Sequence, residues 1–173
     1  MTKSVVGLVH TRVEAENLIT SLKSINFLDN EISVLFPDKG ESQDFAHDNS
    51  TKSPEGAVAG ASTGGVIGGV LGLLAGIGAL AIPGVGPLIA AGPIMATLSG
   101  AAVGATVGGI AGALIGLGIP EFEAKMYEGK IKDGNILVAA HCESGDQLKK
   151  AEEIFKANHA TDIHRVGEKA VKN

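Results

Sequence analysis

A run of 63 consecutive residues, 57–119, contains no Asp, Glu, Lys, Arg or His, and this run limits the folds open to the chain. All 33 charged residues lie in the other 110, and 18 of the 25 glycines lie inside the run. A membrane-spanning helix needs about 20 apolar residues, so the run has room for two such helices and a turn. We therefore predict a transmembrane helical hairpin with helices near 57–82 and 94–118.

The glycines of each predicted helix recur at every fourth position. This spacing places them along one ridge of a helix, where a bare backbone lets a neighbouring helix approach closely. Each interior glycine costs about 0.5–1 kcal/mol of helix stability relative to alanine, so close packing has to compensate. The predicted helix-packing interface consists of Gly56, Gly60, Gly64, Gly68, Gly72 and Gly76 in the first helix and Gly100, Gly104, Gly108, Gly112 and Gly116 in the second.

Clusters of proline and glycine separate the two predicted helices. Such dipeptides end helices and form turns. The predicted hairpin turn consists of Pro83, Gly84, Gly86, Pro87, Gly92 and Pro93. The pattern leaves open whether this apolar tip crosses the bilayer or stops within it as a re-entrant turn.

Outside the uncharged run, two segments share one pattern: an apolar strand ending in His, an amphipathic helix and a second short strand. The helices begin with capping boxes, Thr11 with Glu14 and Ser144 with Gln147. Two βαβ units combine most simply into a four-stranded antiparallel sheet with two helices on one face, the ferredoxin-like arrangement. We therefore predict an α+β fold with the hairpin inserted between strands 2 and 3.

The predicted division of the chain follows from this pattern. Residues 1–36 and 133–173 form the two halves of the ferredoxin-like domain, 37–54 a polar linker, 55–119 the glycine-zipper hairpin, and 120–132 a short amphipathic connecting helix that Pro120 starts.

Residues capable of catalysis or metal binding form no recognisable motif. His141 and Cys142 are adjacent on a predicted strand, so their side chains point to opposite faces. A phosphate-binding loop needs a lysine after its glycines, and residues 57–119 contain none. The net charge of −5, without a basic cluster, gives no electrostatic indication of nucleic-acid binding. We predict a non-enzyme with no catalytic residue, metal or cofactor, and no nucleic-acid partner.

Two histidines keep one alternative open. His10 and His141 occupy matching positions in the two halves, and neighbouring strands would bring them close together. That placement would suit a ligand- or metal-sensing α/β domain coupled to the hairpin.

Several stretches together resemble a known family. They are VVGLVHTRVEAENLITSLKSINF, the EGA…GxxxG entry, the IPG–GP–AAGP turn and the GIPE…YE exit, within residues 4–165. Over these stretches the chain resembles bacterial general-stress or heat-induced-stress proteins, which carry a central glycine-zipper hairpin. The resemblance implies a bacterial, membrane-associated, stress-related protein, and it supplies no catalytic or cofactor residues.

Together these features predict a non-enzymatic, membrane-embedded homo-oligomer that acts as a membrane scaffold or protectant through glycine-zipper packing. Lysines flank the hairpin on the side that holds both termini: Lys52, Lys125, Lys130 and Lys132. The positive-inside rule then places the protein in the bacterial inner (cytoplasmic) membrane, with its termini and α/β domain in the cytoplasm. The alternative is a soluble homo-oligomeric shell or filament that buries the hairpins.

Overall fold

The computed structural model describes residues 3–37, 78–82, 86–94 and 109–167. These residues form an α+β architecture with one six-stranded antiparallel sheet and four α-helices. The strands are β1 (Lys3–Val9), β2 (Ile32–Pro37), β3 (Gly78–Ile82), β4 (Gly86–Ala91), β5 (Ile136–Cys142) and β6 (Thr161–Gly167). The helices are α1 (Arg12–Ser24), α2 (Gly109–Gly116), α3 (Glu121–Lys132) and α4 (Gly145–Ala157), and a 3-10 turn (Asp29–Glu31) precedes β2.

The strands lie in the order β3-β4-β2-β5-β1-β6. The neighbouring strands β5 and β1 pair antiparallel with Ser4 opposite His141 and Val9 opposite Ile136. Both strands are buried almost throughout. Strands that are covered on both faces have no solvent side to carry polar residues, which explains their near-continuous apolar sequences.

Helices cover both faces of the sheet. One face packs against α1 and α4, through residues such as Leu18 and Phe155. The other packs against α2 and α3, through residues such as Leu114 and Tyr127. Alternate residues of each strand point to opposite faces of the sheet. In β1, Val5 therefore lies in the core beneath α1 and α4, and the residues after it lie alternately on the α2–α3 side and the α1–α4 side.

The helix starts follow the predicted capping pattern. The Thr11 side chain accepts from the Glu14 amide, and the Ser144 side chain accepts from the Gln147 amide. Both capping boxes are therefore confirmed. Helix α3 begins one residue later than predicted, because Pro120 is its N-cap.

The two-helix hairpin is wrong for the residues around its expected tip. Residues 78–82, predicted as the end of the first helix, form strand β3. The following strand, β4, pairs with β3 on one side and β2 on the other, and Ile82 lies opposite Gly86. The chain thus reverses between two strands. An apolar run without polar residues carries no periodicity that separates a buried strand from a helix.

The predicted second helix, near 94–118, is also not one continuous element. Gly109, the first residue of α2, has φ +90°, far from the helical value, so one continuous α-helix cannot run through this position. At the other end Gly118 has φ +94° and the Ile119 amide donates to Leu114 O over 3.0 Å, which is a Schellman ending.

Candidate functional site

The imidazole of His141 on β5 is buried in the middle of the sheet. The residue is 8% exposed. Ser4 Oγ on β1 lies 3.0 Å from Nδ1, and Ser33 Oγ on β2 lies 2.7 Å from Nε2. One side chain therefore links three neighbouring strands by hydrogen bonds. Burial requires such partners, because an unpaired polar atom in a core costs free energy.

The Ser33 hydroxyl extends this link to the end of β4. It accepts a hydrogen bond from the Ile94 amide over 3.1 Å. That amide follows the strand that the inserted segment adds to the sheet. The polar link from Ser4 through His141 and Ser33 thus connects both halves of the sheet with the insertion.

The Ser33–His141 distance is also that of a nucleophile and its base. Ser33 is fully buried, however, and the neighbouring cavity has a volume of about 10 Å³. That is roughly the room of one water molecule. Leu114, Leu117 and Ile119 line the cavity on the side away from the sheet. Within the described residues the arrangement organises the core, and the cavity beside it has room for about one water molecule.

A second polar cluster joins α3 to the edge strand β6. The Tyr127 hydroxyl donates to Asp162 O over 2.5 Å and lies 2.7 Å from His164 Nδ1. Burial raises the pKa of Tyr127, and the carboxylates of Glu123 and Asp162 raise it further. The phenol therefore remains protonated and serves as a donor, not as a base.

The contact with Tyr127 falls on an irregularity of β6. Val6 lies opposite His164 but Leu8 lies opposite Thr161, so β6 holds one extra residue. Asp162 lies there with φ +50°, and its carboxylate pairs with Lys130. A bulge with charged neighbours discourages further strand pairing at an edge, and the contacts from α3 stabilise this bulge.

Glu128 of α3 connects the domain to α2. Its Oε2 accepts from the Ala111 amide over 2.6 Å, and its Oε1 lies 2.9 Å from Lys132 Nζ. Burial raises the pKa of Glu128, but the hydrogen bonds from Lys132 and Ala111 outweigh it and leave the pKa lowered. The carboxylate thus caps the first turn of α2 from another helix.

Only two glycines of the predicted packing interface lie in the described residues. Gly112 is half-buried and Gly116 exposed, whereas Ile110, Ala113 and Leu114 on the other side of α2 are buried. The glycine side of α2 therefore points away from the sheet. The glycines outside the described residues are Gly56, Gly60, Gly64, Gly68, Gly72, Gly76, Gly100, Gly104 and Gly108.

Some of the predicted turn residues also lie in the described residues and others lie outside them. Gly86 and Pro87 begin β4, while Pro83 and Gly84 lie outside the described residues. Gly92 follows β4 with φ +79°, and a Cβ there would lie 2.0 Å from Ile32 O. Glycine is required at this position both by conformation and by the close approach of β2.

The expected proximity of the two matching histidines is wrong. His141 lies opposite Ser4, and His10 lies six residues further along the chain, about 20 Å at 3.3 Å per residue. His10 Nδ1 instead lies 2.7 Å from Asn135 Oδ1 at the surface. The described ranges contain no group of three His, Cys, Asp or Glu side chains placed to hold a metal ion.

The expected divergence of His141 and Cys142 is confirmed. His141 lies beside the cavity under α2, whereas Cys142 belongs to the core beneath α1 and α4. Sequence reasoning selected His141 but missed its serine partners. A serine inside each of two otherwise apolar strands, SVVGLV and ISVLF, was the available signal.

Comparison with known proteins adds no further assignment. No family model, curated protein or solved structure matches this chain. Across 3–37, 78–82, 86–94 and 109–167, no helix has the length and hydropathy needed to cross a membrane.

Proposed function

We propose that this chain is a non-enzymatic, membrane-associated homo-oligomer, a stress-related scaffold or protectant of the bacterial inner membrane. The observation that carries the proposal is the 63-residue uncharged run, 57–119, between flanking segments that hold all the charges. Lipid is a medium in which so long an uncharged run is stable without protein on every side. The flanking lysines support a cytoplasmic position for the α/β domain and both termini in this proposal.

We further propose that four of the strands form a ferredoxin-like core. The order β2-β5-β1-β6, with α1 and α4 on one face, is the order expected from two βαβ units. Strands β3 and β4 then extend this core at one edge, and α2 and α3 cover its second face. The domain and part of the uncharged run therefore share one sheet.

The shared sheet favours insertion into one leaflet over two membrane spans. β2 ends at Pro37 and β3 begins at Gly78, and both strands pair with β4, so the two ends of the intervening segment are attached to one sheet. Crossing a bilayer and returning needs about 40 apolar residues and a turn. The uncharged stretches 57–77 and 95–108 hold only 21 and 14 residues. Interfacial insertion needs no such length.

Self-association is supported by the outward side of α2. Gly112 and Gly116 lie on the less buried side of a helix that contains no charged residue. A helix that is apolar all round normally has cover on every side. Packing against a second copy of the chain provides that cover in this proposal.

Fractionation of expressing bacteria tests membrane association. We expect the protein to remain with the membrane pellet in alkaline carbonate and to float with lipid on a density gradient. Recovery as a large, uniform soluble particle without detergent contradicts the proposal and favours the soluble shell or filament.

Thiol labelling tests the one-leaflet insertion. In a Cys142→Ser background, we place single cysteines by Ser62→Cys and Thr97→Cys, with Ser50→Cys as the control in the polar stretch. A membrane-impermeant maleimide added to intact spheroplasts should label none of the three, and added to inverted vesicles should label Ser50→Cys. Labelling of Ser62→Cys from the outside requires a membrane span and contradicts one-leaflet insertion.

A matched pair of glycine variants tests self-association. Gly116→Leu places a bulky side chain on the exposed side of α2, and Gly129→Leu places the same side chain on the exposed face of α3. We expect Gly116→Leu to reduce the oligomer size in detergent, measured by light scattering, and Gly129→Leu to leave it unchanged. Equal oligomer sizes for both variants exclude this face of α2 as the interface.

A further inference from the structure

The two edges of the six-stranded sheet differ in the features that discourage further strand pairing. At one edge, β6 has the register shift beside Asp162 and carries charged side chains. The other edge strand, β3, pairs with β4 in one continuous register from Gly78 to Ile82. Its sequence, GALAI, contains no charged residue and no proline. A strand without a bulge, a charge or a proline at a sheet edge is a template for another strand.

Two prolines show which residues of β3 direct their backbone hydrogen-bonding groups outward. Opposed residues of antiparallel strands alternate between pairs that exchange two hydrogen bonds and pairs that exchange none. Proline has no N–H, so Pro87, opposite Ala81, belongs to the second kind. Pro37, opposite Leu88 on the other side of β4, gives the same alternation. Leu80 therefore bonds to Leu88, and its two neighbours in β3 point their N–H and C=O groups away from β4.

These outward groups are complementary to those of an identical strand. The outward residues are Ala79 and Ala81, and among the described residues β4 is the only strand beside β3. When two copies of β3 run antiparallel about a two-fold axis at Leu80, each Ala79 lies opposite an Ala81 and all of β3 overlaps. Both of these pairs then exchange two hydrogen bonds. A shift by one residue sets outward residues against inward ones, and a larger shift shortens the overlap.

We propose that β3 pairs with β3 of a second copy of the chain, antiparallel and centred on Leu80, so that two six-stranded sheets join edge to edge. The inference rests on the proposed self-association and adds to it a contact surface and a register. A second copy is favoured as the occupant because the outward groups are self-complementary, as a two-fold contact requires, and because neither strand carries a charge that repels the other. The contact is separate from the outward side of α2, since α2 packs on a face of the sheet and β3 forms its edge.

Oxidative cross-linking of the full-length protein in mild detergent tests the register. In a Cys142→Ser background, Leu80→Cys places two thiols on directly opposed residues that exchange no hydrogen bond. Their Cα atoms are then about 4.5 Å apart, which a disulfide can span. Ala79→Cys is the matched control, because the two copies of that residue are diagonal neighbours about 7–8 Å apart, too far for a disulfide. We expect copper-catalysed oxidation to convert most of Leu80→Cys to a disulfide-linked dimer on a non-reducing gel and to leave Ala79→Cys monomeric.

A proline and a valine at position 79 test the hydrogen bonds of the contact. Ala79→Pro removes an outward N–H but no bond to β4, and an edge strand accepts proline at such a position. Ala79→Val is the matched control, because it keeps the N–H and favours a strand. In the Leu80→Cys background, Ala79→Pro should abolish the disulfide-linked dimer and Ala79→Val should retain it. A retained dimer in Ala79→Pro contradicts the pairing. Circular dichroism melts of both variants identify any loss of fold, in which case the two cysteine variants decide the question.

The outcomes separate this contact from the proposed self-association. If light scattering shows an oligomer but Leu80→Cys forms no dimer, the β3 contact is wrong, another segment occupies the edge, and self-association stands. Equal dimer yields from the two cysteine variants contradict the register centred on Leu80. If the full-length protein is monomeric in mild detergent, both the β3 contact and the proposed homo-oligomer are overturned.

Discussion

The backbone amide of Ala111 donates a 2.6 Å hydrogen bond to the carboxylate of Glu128, so a helix of the uncharged run takes its N-terminal cap from a helix of the charged domain. Helix α2 contains no acidic residue of its own to fill this role. The first amides of any helix have no partner inside the helix, and a carboxylate near them is stabilising. Glu128 is therefore the polar attachment of α2 to the domain.

Neutralising that carboxylate should destabilise the domain. Glu128→Gln keeps an oxygen acceptor for Ala111 but removes the charge that favours the helix N-terminus and Lys132. We expect a loss of about 1 kcal/mol in the free energy of unfolding at pH 7, measured by urea denaturation. Glu121→Gln on the same helix removes only a surface pair and should change the urea midpoint less.

The effect of Glu128→Gln should depend on pH. The pKa of Glu128 in the folded protein lies below the ordinary value of 4.5, so the carboxylate stabilises the fold above that pH. This contribution is lost as pH falls through the folded pKa. The difference between the original protein and Glu128→Gln should therefore shrink below pH 4.5. A difference that stays constant from pH 7 to pH 3 contradicts the assigned role of the charge.

Removing the hydroxyl of Ser33 should cost more than removing a surface hydroxyl. Ser33→Ala leaves the Ile94 amide and one nitrogen of His141 without the partner described above. An orphaned buried polar group costs about 1–3 kcal/mol, which denaturant titration resolves. Ser24→Ala is the control, because Ser24 is exposed at the end of α1. Equal stability of the two variants contradicts a structural role for the serine–histidine network.

Local signals in the sequence predicted the charged half of the fold well. Thr11 and Ser144 begin helices by accepting hydrogen bonds from amides three positions further along the chain. Such short-range contacts can be predicted from the sequence without the tertiary structure. The apolar strands β1 and β5 were equally legible. Their partners were not, because the antiparallel register that puts His141 opposite Ser4 is set by the whole sheet.

The uncharged run was harder to predict for a physical reason. Between Gly78 and Ala91 every side chain is apolar or absent, so neither the helical nor the strand period is visible. Strand β2 decides the outcome by offering β4 an edge to pair with. The close approach at Gly92 and the positive φ of Gly109 likewise depend on partners distant in sequence. Glycine spacing alone therefore overestimated the length of continuous helix.

Deleting the hydroxyl of Tyr127 should loosen the edge strand β6. Tyr127→Phe preserves the buried ring but removes the bond to Asp162 O and the contact with His164. We expect a loss of about 1–2 kcal/mol in unfolding free energy. The substitution should increase the rate of amide hydrogen exchange more in 161–167 than in β5. Unchanged exchange in β6 contradicts the view that Tyr127 fixes the bulge.

Two glycine-to-alanine changes should have opposite signs. At Gly92 an added Cβ meets Ile32 O at 2.0 Å, and φ +79° is strained for alanine, so Gly92→Ala must displace β4 from β2. At Gly129, in the interior of α3, the added Cβ meets no atom within 4 Å. Gly129→Ala should therefore stabilise the domain by up to about 1 kcal/mol through helix propensity. Gly92→Ala should lower the thermal midpoint by more than any single-hydroxyl deletion above. The two melting curves, recorded side by side by circular dichroism, check both signs, and a tolerated Gly92→Ala would mean that β4 does not pair with β2 as described.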